Sequence, residues 1–150
     1  MTETKSTQSA PIRLSEHRVY SDSFKPLYAD GMKLVEEAAA YLDGEGRAEA
    51  KRMSRLAATL YAAESMRLTT RLMQVASWLL LQRAIAAGEM TGEEARKEKH
   101  RISLSEIGRG NPLVGSEQLP EELKELVERS LRLHMRVQKL DAMLNVQAKN

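Results

Sequence analysis

The sequence predicts an all-α protein, a three-helix bundle with one long central helix. Glycine and proline fall in a few clusters and are absent between residues 47 and 87. The segments on either side of that stretch carry apolar residues at alternating spacings of three and four, which is the pattern of an amphipathic helix. No segment alternates apolar and polar residues convincingly at the period of two that a half-buried strand requires.

The first helix is predicted over residues 22–43. Its apolar face consists of Phe24, Leu27, Gly31, Leu34, Ala38 and Tyr41. Pro26 is expected in the first turn, where the missing backbone N–H costs nothing. Residues 1–20 are rich in Ser, Thr, Lys and Gln, so we expect a flexible N-terminal tail and a bundle domain over 21–148.

The second helix is predicted over residues 47–87, at a length of about 60 Å. One face forms a core seam: Ala57, Tyr61, Leu68, Leu72, Val75, Leu79 and Ala86. Another face carries Thr59, Ala62, Met66, Thr69, Met73 and Leu80, where the small residues would let a second backbone come close. The helix is therefore apolar on more sides than a three-helix monomer can cover.

An apolar strip beyond the core seam predicts a homodimer interface. It consists of Trp78, Leu81 and Ile85, which would form an exposed patch on a monomer. A second copy of the chain is the simplest cover for such a patch. The alternative is that residues 88–118 fold back over it within one chain.

Four polar residues interrupt the long helix on one face: Glu64, Arg67, Arg71 and Gln74. The charged members are spaced three and four apart, so neighbours can pair along the helix. One interpretation is a solvated strip of ion pairs, which contributes little to stability. The other is a polar centre that binds a partner protein, a role for which arginine is favoured.

The remainder of the chain is predicted to be a charged connector, residues 88–118, and a third helix over 119–147. Thr91 and Glu94 match a capping box that would start a short helix in the connector. Pro120 followed by two glutamates is a good helix start. The third helix carries a 3,4-spaced apolar face: Leu123, Leu126, Ser130, Leu133, Val137, Leu140 and Leu144.

Composition and motifs predict a protein that is not an enzyme and needs no cofactor or metal. Cysteine is absent, and the three histidines, His17, His100 and His134, do not occur in metal-binding spacings. The glycine pair Gly108/Gly110 follows no strand, so it is a weak phosphate-binding signal. With 23 basic and 21 acidic side chains interspersed, nucleic acid is not an expected partner. No apolar run approaches the roughly 20 residues of a membrane span, so we expect a cytoplasmic protein.

Two segments of the sequence resemble a known family. They are GMKLVEEAAAYLDGEGR at residues 31–47 and LAATLYAAESMRLTTRLMQVASWLLLQRAIAAGEMT at residues 56–91. Both resemble the alphaproteobacterial regulator of CtrA degradation (RcdA) family. The resemblance implies a dimeric three-helix bundle that serves as a non-enzymatic adaptor of the ClpXP protease. It also implies a CpdR-like response regulator and protein substrates of the CtrA type as partners. A scaffolding bundle is the alternative, followed by a transcriptional regulator.

Overall fold

The computed structural model of the chain is entirely helical where it is described. It describes the backbone of residues 2–102 and 115–149, and the side chains of residues 22–102, 115 and 117–145. These residues form a 3₁₀ turn at Ser116–Gln118 and five α-helices: α1 Thr2–Asp43, α2 Glu45–Ala50, α3 Arg55–Ala86, α4 Gly92–Arg101 and α5 Glu121–Lys149. No strand occurs in these ranges, which confirms the predicted all-α class.

The core lies where α1, α3 and α5 pack against one another. The predicted apolar faces of the first and third helices are buried, including Gly31 and Ser130, except that Leu144 is half-buried. From α3, the core receives Tyr61, Leu68, Leu72, Val75, Trp78 and Leu79. A Cβ on Gly31 would lie 2.5 Å from Cδ1 of Leu79, so the missing side chain lets α1 approach α3 closely.

The predicted helix over residues 47–87 is divided into α2 and α3. Ser54 ends the interruption as the N-cap of α3, with its side chain accepting the backbone N–H of Ala57 at 3.3 Å. The break lets α2 pack against α1. Within α2, a Cβ on Gly46 would lie 2.4 Å from the Tyr61 hydroxyl, so only glycine fits there without a shift. The amino-acid sequence did not predict this break, because residues 47–54 contain no glycine or proline.

Helix α1 begins at Thr2, about 20 residues before the predicted boundary. The backbone of the expected tail is therefore helical, and the side chains of residues 1–21 lie outside the described part. The first 30 residues contain no glycine, and extending an existing helix costs less than nucleating one. Pro26 consequently lies inside α1 and not in its first turn. Pro26 and Asp22 are both exposed, so water can reach the Asp22 carbonyl that proline leaves without a helical donor.

Helices α3 and α5 run parallel to each other. Arg71 contacts Ser130, and seven residues further along α3 Trp78 contacts Asp141, further along α5. Helix α1 runs antiparallel to α5, because Glu37 pairs with Arg129 whereas the earlier Asp30 pairs with Arg136.

The long connector follows from this parallel arrangement, because the chain must return along the bundle before α5 can start. Lys99, in α4, forms a salt bridge with Asp141 near the end of α5. Gly115 lies beside Leu60, near the start of α3. The rest of the connector, residues 103–114 with the glycine pair Gly108/Gly110, lies outside the described residues.

Helix α4 packs against α3 and contributes one buried residue, Ala95. Its predicted capping box is present, since the Thr91 hydroxyl accepts the Glu94 backbone N–H and the Glu94 carboxylate accepts that of Thr91. Among the described helices, none combines the length and the apolar character that crossing a bilayer requires.

Candidate functional site

The predicted polar centre of the long helix lies against α5, inside the chain. Glu64 and Arg71 are 4% and 1% exposed, and Gln74 is half-buried. Glu64 accepts a hydrogen bond from Nη1 of Arg67 at 2.8 Å, one helical turn away. The Arg67 side chain is 21% exposed, so Arg67 is the most accessible of the three charged residues.

Arg71 links α3 to α5. Its Nη1 donates to Oγ of Ser130 at 2.7 Å, and that hydroxyl donates to the Val127 carbonyl at 2.7 Å. Burial lowers the pKa of Arg71, repulsion from Arg67 lowers it further, and Glu64 opposes both effects. The serine therefore occupies a core position of α5 because it accepts the guanidinium.

This placement bears on both interpretations of the polar strip at Glu64 and Arg71, whereas partner binding through Arg67 and Gln74 stays a prediction. A solvated strip would leave Glu64 and Arg71 in water, and a partner-binding centre would leave them accessible. Both are buried within one chain, and the contact of Arg71 with Ser130 links α3 to α5. The sequence does not indicate this contact, because Ser130 simply occupies one position of the apolar face of the third helix.

The apolar strip predicted as a dimer interface is also covered within the chain. Trp78 is completely buried, and its Nε1 donates to Oδ1 of Asp141 at 2.9 Å. Its ring lies 6.4 Å from that of Phe24, measured between centroids. Leu81 is 6% exposed, whereas Ile85 is 38% exposed. The exposed patch that motivated this interface is therefore absent, apart from Ile85.

The alternative of a fold-back by residues 88–118 describes this region better. Helix α4, from that connector, packs against α3. Leu81 and Gln82 are buried on α3, as is Ala95 on α4. A charge at Leu81 would consequently disturb the fold.

The exposed part of α3 carries a different surface, which we call the neutral face. From residue 56 to residue 80, every exposed residue of α3 is uncharged: Leu56, Thr59, Ala62, Met66, Thr69, Met73, Ser77 and Leu80. Met66, Met73 and Leu80 are 70%, 65% and 52% exposed. By contrast, the exposed positions of α1 and α5 are largely charged. A long uncharged helix face in a chain with 29% charged residues is typical of a protein-binding surface.

The sequence contained the signal for this face, in the 3,4-spaced small and large residues of the long helix. The strip of Trp78 and Leu81 gives a similar signal, because the sequence does not show that other helices cover it. The structure distinguishes the two faces because α4 and the end of α5 cover the face that carries Trp78 and Leu81 and leave the neutral face exposed.

The histidines do not assemble a metal centre within the described part of the chain. His134 is 1% exposed on α5 and His100 is exposed on α4. His17 precedes the residues whose side chains are described. No group of three or more histidine, aspartate or glutamate side chains is arranged to hold a metal ion among the described residues.

Comparison with known proteins places the chain in a family. Residues 15–150 match the family described as "Protein of unknown function (DUF1465)". The crystal structure of RcdA from Caulobacter crescentus CB15 is similar, with a TM-score of 0.64 and 52% sequence identity. The match covers 79% of this chain and 87% of that one. No curated protein matches the chain. The extent of both matches shows that this chain belongs to the RcdA family.

Proposed function

We propose that this protein is a non-enzymatic adaptor that promotes ClpXP-dependent degradation of cell-cycle regulators of the CtrA type. The observation that carries the proposal is the 52% identity to RcdA over 79% of the chain. A CpdR-like response regulator is the expected partner that prepares the protease. The adaptor acts in the cytoplasm and binds neither nucleic acid nor membranes.

The neutral face of α3 supports a function in protein binding. An adaptor accelerates degradation by raising the local concentration of its cargo at the protease, so it needs contact surfaces and no reacting groups. The neutral face offers Met66 and Met73, whose flexible side chains adapt to different partners.

Reconstituted degradation tests the adaptor proposal. Adding the protein to ClpXP, an unphosphorylated CpdR-like regulator and a CtrA-type substrate should accelerate substrate loss, followed by gel densitometry. The rate should rise and then fall with adaptor concentration, because excess adaptor separates protease and cargo into incomplete complexes.

Omission of each component provides the controls for this assay. The protein alone should leave the substrate intact, and omission of the response regulator should reduce the acceleration. A complete reaction that shows no acceleration across several CtrA-type substrates contradicts the adaptor proposal and favours the scaffolding alternative.

The neutral face also offers an interface for the homodimer that the resemblance implies. Three of its four large residues recur every seven positions, Met66, Met73 and Leu80, whereas Leu56 lies outside this repeat. Small residues recur four positions before each of them: Ala62 and Thr69 on the neutral face, and the half-buried Ala76 beside it. This repeat has one large and one small position in every seven residues. When two such helices pack antiparallel, the large position of one helix lies opposite the small position of the other in every layer. A parallel pair would oppose large to large. An antiparallel dimer about a two-fold axis is therefore the arrangement we propose.

Met73→Asp tests this interface. The substitution should convert the dimer to a monomer, because burying a carboxylate in an apolar contact is costly. Helicity should be retained, since Met73 is 65% exposed in the single chain. Gel filtration with light scattering measures the mass.

Met135→Asp is the matched control for the dimer. Met135 is also 65% exposed but lies on α5, away from the neutral face. This variant should remain dimeric. If both variants dissociate equally, or if the unmodified protein has the mass of one chain at micromolar concentration, the proposed interface is wrong.

A further inference from the structure

Helix α4 covers one side of α3 through a narrow contact. Seven of its ten residues are exposed, and Ala95 is both its single buried residue and its single apolar side chain. On α3, Leu81 and Gln82 are 6% and 5% exposed. Leu81 and Ala95 are buried, yet neither belongs to the cluster of residues that forms the core of the bundle. The contact between α3 and α4 therefore lies outside the main core.

Few side chains hold α4 in place. Lys99 forms the one ion pair that joins α4 to another helix in the described part of the chain, with Asp141 of α5 at 2.8 Å. Lys99 also donates a hydrogen bond to Oδ1 of Asn145. Ile102, which follows α4, is half-buried against the core. Because Ala95, Lys99 and Ile102 are spaced four and three apart, all of these contacts come from one face of the helix.

A helix that is held in this way can open separately from the bundle. Isolated helices shorter than about 12–15 residues are marginal in water, so α4 depends on these contacts to remain helical. Segments with few buried apolar contacts open at a lower free energy than core helices do. Gly88 follows the end of α3 with a φ of 73°, a conformation that turns the chain out of the helix before α4 begins. Opening at this point would uncover the side of α3 that carries Leu81 and Gln82.

The covered side of α3, which we call the lid strip, consists of Leu81, Gln82 and Ile85. Ile85 lies one turn after Leu81 and is 38% exposed even with α4 in place. Helix α4 contributes only the small Ala95 here, so it leaves apolar surface that a longer aliphatic side chain would bury. When α4 leaves, Asp141 loses Lys99 and can accept another cation. The lid strip therefore suits a helix that resembles α4 but carries a larger apolar residue.

We propose that α4 is a displaceable lid and that the lid strip binds an amphipathic helix of a partner protein. The partner helix takes the place of α4, with an aliphatic side chain at the position of Ala95 and a basic residue one turn later at the position of Lys99. Because α4 competes for the same side of α3, it lowers the apparent affinity for the partner. This surface is separate from the neutral face and deepens the protein-binding function proposed above. Its tests need no protease, so their failure is distinguishable from failure of the adaptor proposal.

Thiol labelling tests whether α4 opens separately from the bundle. The chain contains no cysteine, so Leu81→Cys and Leu79→Cys each place one thiol at a known position. Leu79 is completely buried in the core. In native buffer, Leu81→Cys should react with dithionitrobenzoate at least about tenfold faster than Leu79→Cys, because its exposure requires opening of α4 alone. Equal rates would mean that Leu81 is exposed only when the bundle unfolds, and they would overturn the proposal.

Lys99→Ala should accelerate the labelling of Leu81→Cys about two- to fivefold, the effect of losing one partly exposed ion pair, and should leave that of Leu79→Cys unchanged. Lys97→Ala is the matched control, because Lys97 is an exposed lysine of α4 with no ion pair among the described residues. Equal acceleration by both substitutions contradicts the proposal.

Hydrogen exchange of the unmodified chain provides a measurement that needs no cysteine. The amides of α4 should exchange at least about tenfold faster than those of residues 24–41 in α1, because α4 opens while the core stays closed. Comparable exchange in the two segments also overturns the lid.

A peptide of residues 88–102 with Ala95→Leu is the probe for the partner helix. Titrated into the full chain, it should shift the ¹⁵N–¹H correlations of residues 81–86 to saturation. It should bind about tenfold more tightly than the same peptide with Ala95, because leucine buries more apolar surface. Binding to the Lys99→Ala chain should be tighter by the same factor by which its labelling is faster, since both depend on the fraction of open α4. No saturable shift, equal or tighter binding of the alanine peptide, or shifts confined to the neutral face overturns the proposal.

Discussion

Replacing Trp78 by alanine should lower the free energy of unfolding by about 3–5 kcal/mol, the cost typical of removing a large aromatic from a packed core. Trp78 is completely buried at the junction of α1, α3 and α5, where it contacts Phe24 and donates to Asp141. The substitution leaves a cavity and also leaves the Asp141 carboxylate without one of its donors. Urea denaturation followed by circular dichroism at 222 nm measures the effect.

Met135→Ala is the control for this prediction, because Met135 is 65% exposed and lies outside the core. Its effect should remain within about 0.5 kcal/mol. Trp78→Phe should fall between the two, since it keeps an aromatic ring but loses the indole N–H. If Trp78→Ala is no more destabilising than Met135→Ala, the indole does not occupy the core position described above.

Replacing Arg71 by alanine should destabilise the fold by roughly 1.5–3 kcal/mol, the range for a hydrogen bond that involves a charged group. Arg71 is 1% exposed and donates to Ser130, so its loss creates a cavity and removes the polar link between α3 and α5. Urea denaturation at several protein concentrations separates this effect from any change in association.

Arg132→Ala is the matched control for Arg71, because Arg132 is an exposed arginine of α5 that pairs with Glu128 one turn away. It should cost at most about 0.5 kcal/mol. A double-mutant cycle of Arg71→Ala with Ser130→Ala should show a coupling energy of at least about 0.5 kcal/mol. If Arg71→Ala is as stable as the unmodified protein but accelerates substrate degradation less, Arg71 contacts a partner and not Ser130.

The first and third helices were predictable because their apolar faces follow one simple repeat. On α1 and α5 each core position is spaced three or four residues from the next, and polar residues fill the remaining positions. Gly31 and Ser130, the two exceptions, are where the structure uses a small side chain, one for helix approach and one to accept the Arg71 guanidinium. Periodicity identifies such positions but does not state their purpose.

The packing of helix α3 was harder to predict because three of its sides contact other helices and a fourth is exposed. Its apolar and polar residues pack on α1, α5 and α4, and the neutral face remains exposed. A helical wheel separates these sides but does not say which neighbour covers each one. The side covered by α4 depends on a connector whose own sequence is highly charged, so hydrophobicity gave no indication that it packs there.

A cleft lined by glutamates of several helices illustrates the same point: Glu37 from α1, Glu45 from α2, and Glu122 and Glu125 from α5. Adjacent glutamates on one helix point in different directions, so Glu121 and Glu122 looked like ordinary solvated residues in the sequence. Glu45, at the start of α2, comes within hydrogen-bond distance of Glu122, near the start of α5. Sequence spacing carries no information about that meeting.

The contact between Trp78 and Asp141 also gives the protein an optical property. Trp78 is the single tryptophan of the chain. The Asp141 oxygen that accepts its indole N–H also receives Nζ of Lys99, from α4, at 2.8 Å. When α4 moves away, the carboxylate loses its cationic neighbour and the electric field at the indole changes. The intrinsic fluorescence of the unlabelled protein should therefore respond to a displacement of α4, including one caused by a tryptophan-free partner.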